Sequence, residues 1–272
     1  VNPVGDRIAF LAWDHPNMPW DGTQLFVGDV LDSGQIDRPT VVAGGADESI
    51  FQPEWLNDRR LVFVSDANGF WNLHAYDESG VFCIAEDAAE YGMAQWAFDM
   101  RTFTAVSDRF LVAVRIENNS ESLVVIDIDT GLVSPVDDSF SSYASLCRLE
   151  SGVAFIGGRL DGPNAIVALD TATRESRVVR DPGPLPFDQA YLSRPEHLQF
   201  INADGLTAFA HFYPPAHPTA EASAIERPPL LVMSHGGPTS RATRDLSLRI
   251  QFFTSRGGAV LDVDYGGSTG FG

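Results

Sequence analysis

The stretch PPLLVMSHGGPTS, residues 228–240, runs four apolar residues through one serine into a histidine, two glycines and a proline. Glycine has no Cβ, so Gly236 and Gly237 leave backbone N–H groups bare where the apolar run ends. If that run is a strand of a mainly parallel sheet, its carboxyl end opens on the crevice in which such sheets bind ligands. The chemistry on offer is stabilisation of a carbonyl oxygen as it turns negative during acyl transfer, where losing one such donor costs roughly 3 kcal/mol or more. Standing alone, His-Gly-Gly also fits a tight turn with a capping histidine.

Other candidates for chemistry are fewer. The formal charge is −19, and all 18 basic residues are arginine. Without lysine the chain has no phosphate-loop lysine, no Schiff-base lysine and no lysine-rich nucleic-acid patch. Its acidity repels polyanions, so no nucleic-acid partner is expected; a solvated acidic surface is the plain reading, and attraction of cationic peptides the alternative. Cys83 and Cys147 lie far apart without metal-ligand spacing and read as buried thiols in a reducing compartment. Asp66, Asp77, Asp127 and Asp170 close strand-like runs and are expected to bond turn backbones, so no metal and no cofactor is expected. His211 and His217 flank a hairpin and read as surface or packing residues. No apolar run approaches the ~20 residues of a membrane helix and no basic-then-apolar leader opens the chain, so a cytoplasmic protein without a membrane partner is expected.

The elements that must position Gly236 and Gly237 fall into two groups. Up to residue 184 the chain repeats a polar turn, a β-rich strand, a short loop and a second strand: GDRIAFLAWD (5–14) with GTQLFVGDV (22–30), NDRRLVFVSD (57–66) with GFWNLHAYD (69–77), SDRFLVAVRI (107–116) with ESLVVIDIDTG (121–131), and ESGVAFIGGR (150–159) with NAIVALDTAT (164–173). A recurrence of about 45–50 residues is the spacing of propeller blades. Further strands are expected at FQPEW (51–55), VFCIAE (81–86) and AQWAF (94–98), with Trp55, Trp71 and Trp96 packing between blades. From residue 185 the grammar changes. HLQFINADGLTAFAHFYPP (197–215) reads as a hairpin; LLVMSH (230–235) as a strand buried on both faces; RDLSLRIQFFTSRGG as a helix with Leu246, Ile250 and Phe253 on one stripe, stopped at Gly257; and AVLDVDY (259–265) as a second buried strand. Strand, helix, strand is the start of a doubly wound sheet.

These motifs resemble the prolyl oligopeptidase family of serine peptidases, in its acylaminoacyl-peptidase and dipeptidyl-aminopeptidase-like branch. The resemblance is carried by PPLLVMSHGGPTS, by IQFFTSRGGAVLDVDYGGSTGFG (250–272), by LAWDHPNMPWDGTQLFV (11–27) and by FQPEWLNDRRLVFVSDANGFWNLHAYD (51–77). It implies a seven-bladed propeller capping an α/β-hydrolase domain that cleaves short peptides with a Ser-His-Asp triad. On that footing residues 1–184 are four of seven blades, and 185–272 are the N-terminal part of the hydrolase's doubly wound sheet. The resemblance makes Gly237 an oxyanion-hole donor through its N–H, with Gly236 giving the loop its close approach and His235 bracing the turn. It sets Tyr265 to Gly272 near the active site. Gly266 stands where many relatives carry arginine, so an anchoring role for that side chain has no support here.

The Gly-x-Ser-x-Gly spelling occurs once, at Gly266 to Gly270, in the loop that directly follows the second buried strand and not as an elbow opening a helix, so nucleophile, acid and base are all expected beyond Gly272, and the chain is read as an inactive segment of a longer enzyme. Its partners would then be a short peptide and the remainder of its own two domains, with a homo-oligomer left open. Strand direction alternates within a blade, so the loops 14–22, 66–70, 117–121 and 159–164 are expected to face the chemistry. His15, Trp20, Asp21 and Phe70 on these loops are candidates for contacting substrate or gating its access, against the alternative that Trp20 packs and His15 caps a turn. A carboxylesterase, and a non-catalytic propeller with a hydrolase remnant, are the competing functions.

Overall fold

Runs such as LVFV (61–64) and FLVAV (110–114) are apolar at every position, which suits a strand with a neighbouring sheet on each face. The computed structural model, which describes residues 1–272 except 204, 222, 224 and 238, places them so. Asp204 of the expected hairpin turn and Pro238 of the His-Gly-Gly-Pro stretch therefore lie outside the described residues, as do Ala222 and Ala224 of the loop before residue 230.

Four antiparallel meanders follow one another. The first has three strands, β1 (Arg7–Ala12), β2 (Gln24–Val30) and β3 (Ile36–Gly44). The next has four, β4 (Ile50–Trp55), β5 (Leu61–Ser65), β6 (Asn72–Asp77) and β7 (Gly80–Cys83). Four more follow in β8 (Phe103–Ala105), β9 (Phe110–Glu117), β10 (Ser120–Asp127) and β11 (Val133–Asp137). The last meander is β12 (Tyr143–Leu149), β13 (Gly152–Gly157), β14 (Ala165–Asp170) and β15 (Ser176–Arg180). The sheets stack face to face like the blades of a propeller. In β5, Leu61 and Phe63 pack with Leu25 and Ile50 toward the first meander. The alternate residues Val62 and Val64 pack with Phe103 and Leu111 toward the third. In β9 the alternation repeats: Leu111 and Ala113 face the second meander, while Val112 and Val114 meet Leu146, Val153 and Phe155 of the fourth.

The remaining strands form one mixed sheet in the order β16 (Glu196–Ile201), β17 (Thr207–Tyr213), β19 (Ala259–Asp264), β18 (Leu230–Ser234). β17 runs antiparallel to β19, and β18 runs parallel to it, with Leu230 opposite Ala259 and Ser234 opposite Val263. A single helix, α1 (Leu248–Thr254), links the parallel pair. The Ser247 side chain caps it by accepting from the Ile250 N–H, and Gly257, with φ +86°, follows its end.

Several expectations are corrected. β18 lies at the edge of the described sheet, and Leu230, Leu231 and Val232 are exposed rather than buried on both faces, because among the described residues little packs against the faces of that strand. The buried face of α1 is Ile250, Gln251 and Thr254; Phe253 is exposed, and Leu246 precedes the helix. Gln251 is drawn inward because its amide exchanges two hydrogen bonds with the Ser193 backbone, at 2.7 and 3.0 Å. Cys83 and Cys147 are exposed, since they sit on the outer strands β7 and β12. Residues 94–98 form no strand, because the third meander's first strand is β8; Trp96 therefore lies on a loop with its ring half exposed. Among the described residues no helix is long and apolar enough to cross a membrane, and no group of three or more His, Cys, Asp or Glu could hold a metal ion.

Candidate active site at the Gly236–Gly237 loop

β18 ends at Ser234, and the chain turns through His235, Gly236 and Gly237 at the end of a strand parallel to β19. His235 is tied on both ring nitrogens: Nδ1 lies 2.8 Å from the Gly236 carbonyl oxygen and Nε2 lies 2.7 Å from Ser268 Oγ. A carbonyl only accepts, so Nδ1 carries the proton, and in the neutral ring Nε2 accepts from the Ser268 hydroxyl. The ring also stacks on Tyr265, centroids 4.3 Å apart at 22°. Tyr265 in turn closes over Gly237, where a Cβ would stand 2.3 Å from the tyrosine Oη. At Gly236 a Cβ would meet nothing within 4 Å, so within the protein the close approach falls at Gly237. Among the described residues the Gly237 N–H has no hydrogen-bond partner, and the residue is exposed. A bare amide on a loop braced by stacked rings can donate to a negative oxygen without first breaking an internal bond.

The propeller-like part holds the neighbouring chain at several points. The Trp96 indole N–H donates to the Thr239 carbonyl at 3.0 Å, and its ring lies 4.2 Å from that of Trp20. Buried Glu90 accepts from the backbone N–H of Gly270 at 2.5 Å and of Gly272 at 3.3 Å. Burial pushes the Glu90 carboxyl above its ordinary range, and these two amides pull the other way. Arg241, three residues past Pro238, forms a buried ion pair with Glu121, whose other oxygen accepts from the Tyr143 N–H at 2.9 Å. Burial raises the Glu121 carboxyl, against the pull of that guanidinium. Asp245 accepts from the hydroxyls of Ser141 and Ser142 at 2.7 and 2.6 Å, and the Leu246 N–H donates to the Arg159 carbonyl at 2.7 Å.

The two-residue turn joining β9 to β10 places a side chain that reaches across to the mixed sheet. Asn118 and Asn119 both have positive φ, 48° and 61°, as the primed hairpin turns require. The Asn119 amide nitrogen donates to His211 Nε2 and to Asp264 Oδ2, each at 2.8 Å, and its oxygen accepts from Arg241 at 3.3 Å. Asp264 Oδ1 accepts from the Ala242 N–H at 2.7 Å. Burial raises the Asp264 carboxyl and lowers His211 to about 4, so the imidazole is neutral, with Nδ1 buried and unpartnered. His211 is thus a buried bridge between the two parts, not a surface group; His217 packs edge-on against Tyr191 at 5.0 Å.

Of the access-loop candidates, Phe70 lies over Gly272, its ring 2.8 Å from where a Cβ there would stand. Trp20 packs against Trp96 with the rings tilted by 41°, and its indole N–H is buried without a partner among the described residues. The Asp21 carboxylate is taken up by the Met18 N–H at 2.8 Å, within its own turn, and His15 is exposed beside a cis His15–Pro16 peptide bond. The four strand-closing aspartates do bond turn backbones: Asp66 accepts from Ser49 N–H, Asp77 from Ser79, Asp127 from Asp129, and Asp170 from Ala172 and Thr173. Sequence reasoning missed Glu90, Arg241, Asn119 and Asp264 as individuals. The Asn-Asn turn and an arginine three residues past the glycine loop were the available signals.

No family profile and no curated protein matches the chain. Solved structures do. A crystal structure of puromycin hydrolase is 34% identical, with TM-score 0.93, over 100% of this chain and 42% of that one. A puromycin-hydrolyzing peptidase of Mycobacterium tuberculosis is likewise 34% identical with TM-score 0.93, over 100% of this chain and 41% of that one. Prolyl oligopeptidase B from Galerina marginata shares the fold at 12% identity and TM-score 0.78, covering 100% of this chain and 38% of that one. The chain therefore spans about two fifths of the length of the solved structures it matches. The likeness to prolyl oligopeptidase B is one of fold.

Proposed function

We propose that this chain is part of a serine peptidase that hydrolyses short peptides, in which the Gly237 N–H is one donor of the oxyanion hole. The observation that carries the reading is that amide: unpartnered among the described residues, exposed, and held by Tyr265 and His235 at the end of a parallel strand. During acyl transfer the scissile carbonyl oxygen gains negative charge only as the tetrahedral intermediate forms, so a pre-aimed N–H lowers that barrier without tightening the ground state. His235, bonded at both ring nitrogens, supplies no proton in this scheme; it fixes the loop. Nucleophile, acid and base are supplied by chain beyond Gly272, consistent with the share of the puromycin hydrolase structure that these residues match.

The finer elements belong to the same proposal: an acylaminoacyl- or dipeptidyl-peptidase type, a division near residue 184 between propeller and hydrolase portions, access governed by the loops carrying His15, Trp20, Asp21 and Phe70, and a cytoplasmic setting. The test is treatment of the full-length protein with a serine-directed peptide phosphonate, alongside turnover of short peptides and of puromycin. Stoichiometric labelling at a serine C-terminal to residue 272, with loss of turnover, is expected. A full-length protein that neither labels nor cleaves would leave the binding-module reading in its place.

A further inference from the structure

Trp96 belongs by sequence to the repeated, propeller-like part, yet its indole N–H reaches 143 residues along the chain to the Thr239 carbonyl, two residues past Gly237. We infer that Trp96 is a positioning residue for the Gly236–Gly237 loop, so that the propeller portion sets the direction of the proposed oxyanion donor. Three observations carry this. The segment between β7 and β8 is irregular where the repeat predicts a strand, which frees Trp96 from sheet packing and turns it toward the loop. Its ring is backed by Trp20 at 4.2 Å, so the indole is held by a second blade's loop rather than swinging free. And from His235 to Thr239 the described loop is otherwise held only by local contacts to Tyr265 and Ser268, which follow β19. An indole N–H donates and never accepts, so Thr239 must present its carbonyl to Trp96, and that fixes the peptide plane at the far end of the glycine pair.

The inference rests on the peptidase reading for its meaning in catalysis, but the geometry is testable without it. Trp96→Phe in the full-length protein keeps a ring to stack on Trp20 and removes the donor. Millisecond hydrogen–deuterium exchange of the peptide spanning residues 235–243 is expected to accelerate about threefold or more. Trp55→Phe, which deletes an indole N–H that is buried and unpartnered within the second meander, should leave that peptide at the wild-type rate. With a short peptide substrate, Trp96→Phe is expected to lower kcat about five- to tenfold with KM within twofold. Equal exchange in Trp96→Phe and wild type, or an equal rise in both variants, overturns the positioning role. A rise in KM of more than twofold with kcat unchanged also overturns it, since it assigns Trp96 to substrate contact. Failure of the wild-type protein to label with a serine-directed phosphonate would instead remove the peptidase reading, while accelerated exchange would still establish that Trp96 holds the loop.

Discussion

Asn119 and Asp264 are 145 residues apart in the chain, and the asparagine amide donates to the Asp264 carboxylate at 2.8 Å while also donating to His211. One side chain on a propeller-like turn thus satisfies two buried polar groups of the mixed sheet. Asn119→Ala would leave Asp264 and His211 buried and short of a donor, which costs roughly 2–3 kcal/mol. Urea denaturation of the full-length protein should show that loss, or an earlier separate transition of the mixed-sheet part.

His211 predicts a pH dependence. Burial holds its pKa at about 4, against 6.5 for the ordinary side chain. Between those values the unfolded chain binds more protons than the folded one, so stability rises with pH through this window and falls as pH drops. Going from pH 7 to pH 5 should remove roughly 2 kcal/mol through this group. His211→Gln, which keeps an acceptor for Asn119, should narrow the difference between unfolding midpoints at the two pH values; an unchanged difference would assign the acid sensitivity elsewhere.

Gly237→Ala would drive a methyl into the Tyr265 hydroxyl, 2.3 Å from the ideal Cβ position. The amide must then rotate, and kcat for a short peptide is expected to fall about a hundredfold, the loss seen when an oxyanion donor is removed. Removing the obstructing oxygen as well, in Gly237→Ala/Tyr265→Phe, should restore part of the rate. Simple additivity of the two substitutions would contradict the contact.

Glu90→Gln turns an acceptor-only group into one that presents an N–H₂ to one of the two backbone amides it now receives. Loss of about 1–3 kcal/mol is expected in a denaturant titration. The 265–272 segment should become more accessible to protease, and an unchanged digestion pattern would show that Glu90 does not hold it.

The repeats were legible because a blade strand is sandwiched, and its period of two is filled on both faces, as Leu61 to Val64 show. The glycine loop was legible because bare backbone at the end of an apolar run has few other uses. The ties between the two parts were not. Glu90, Glu121 and Arg241 read in one dimension as members of an acidic, arginine-bearing surface, and only contacts across 120 to 180 residues reveal the two glutamates as buried and Arg241 as their half-buried neighbour. Burial of β18 was misread for the same reason: Leu230 to Met233 have the composition of a central strand, whereas position in a sheet depends on partners that no local pattern specifies.

The aim of the Gly237 amide is what the functional account depends on, and a structure of the full-length protein covalently labelled by a peptide phosphonate reads it directly. The account predicts the phosphonyl oxygen about 3 Å from the Gly237 nitrogen, with His235 still bonded to Gly236 and Ser268. An adduct whose oxygen points away from residue 237, stabilised wholly by other donors, would contradict it.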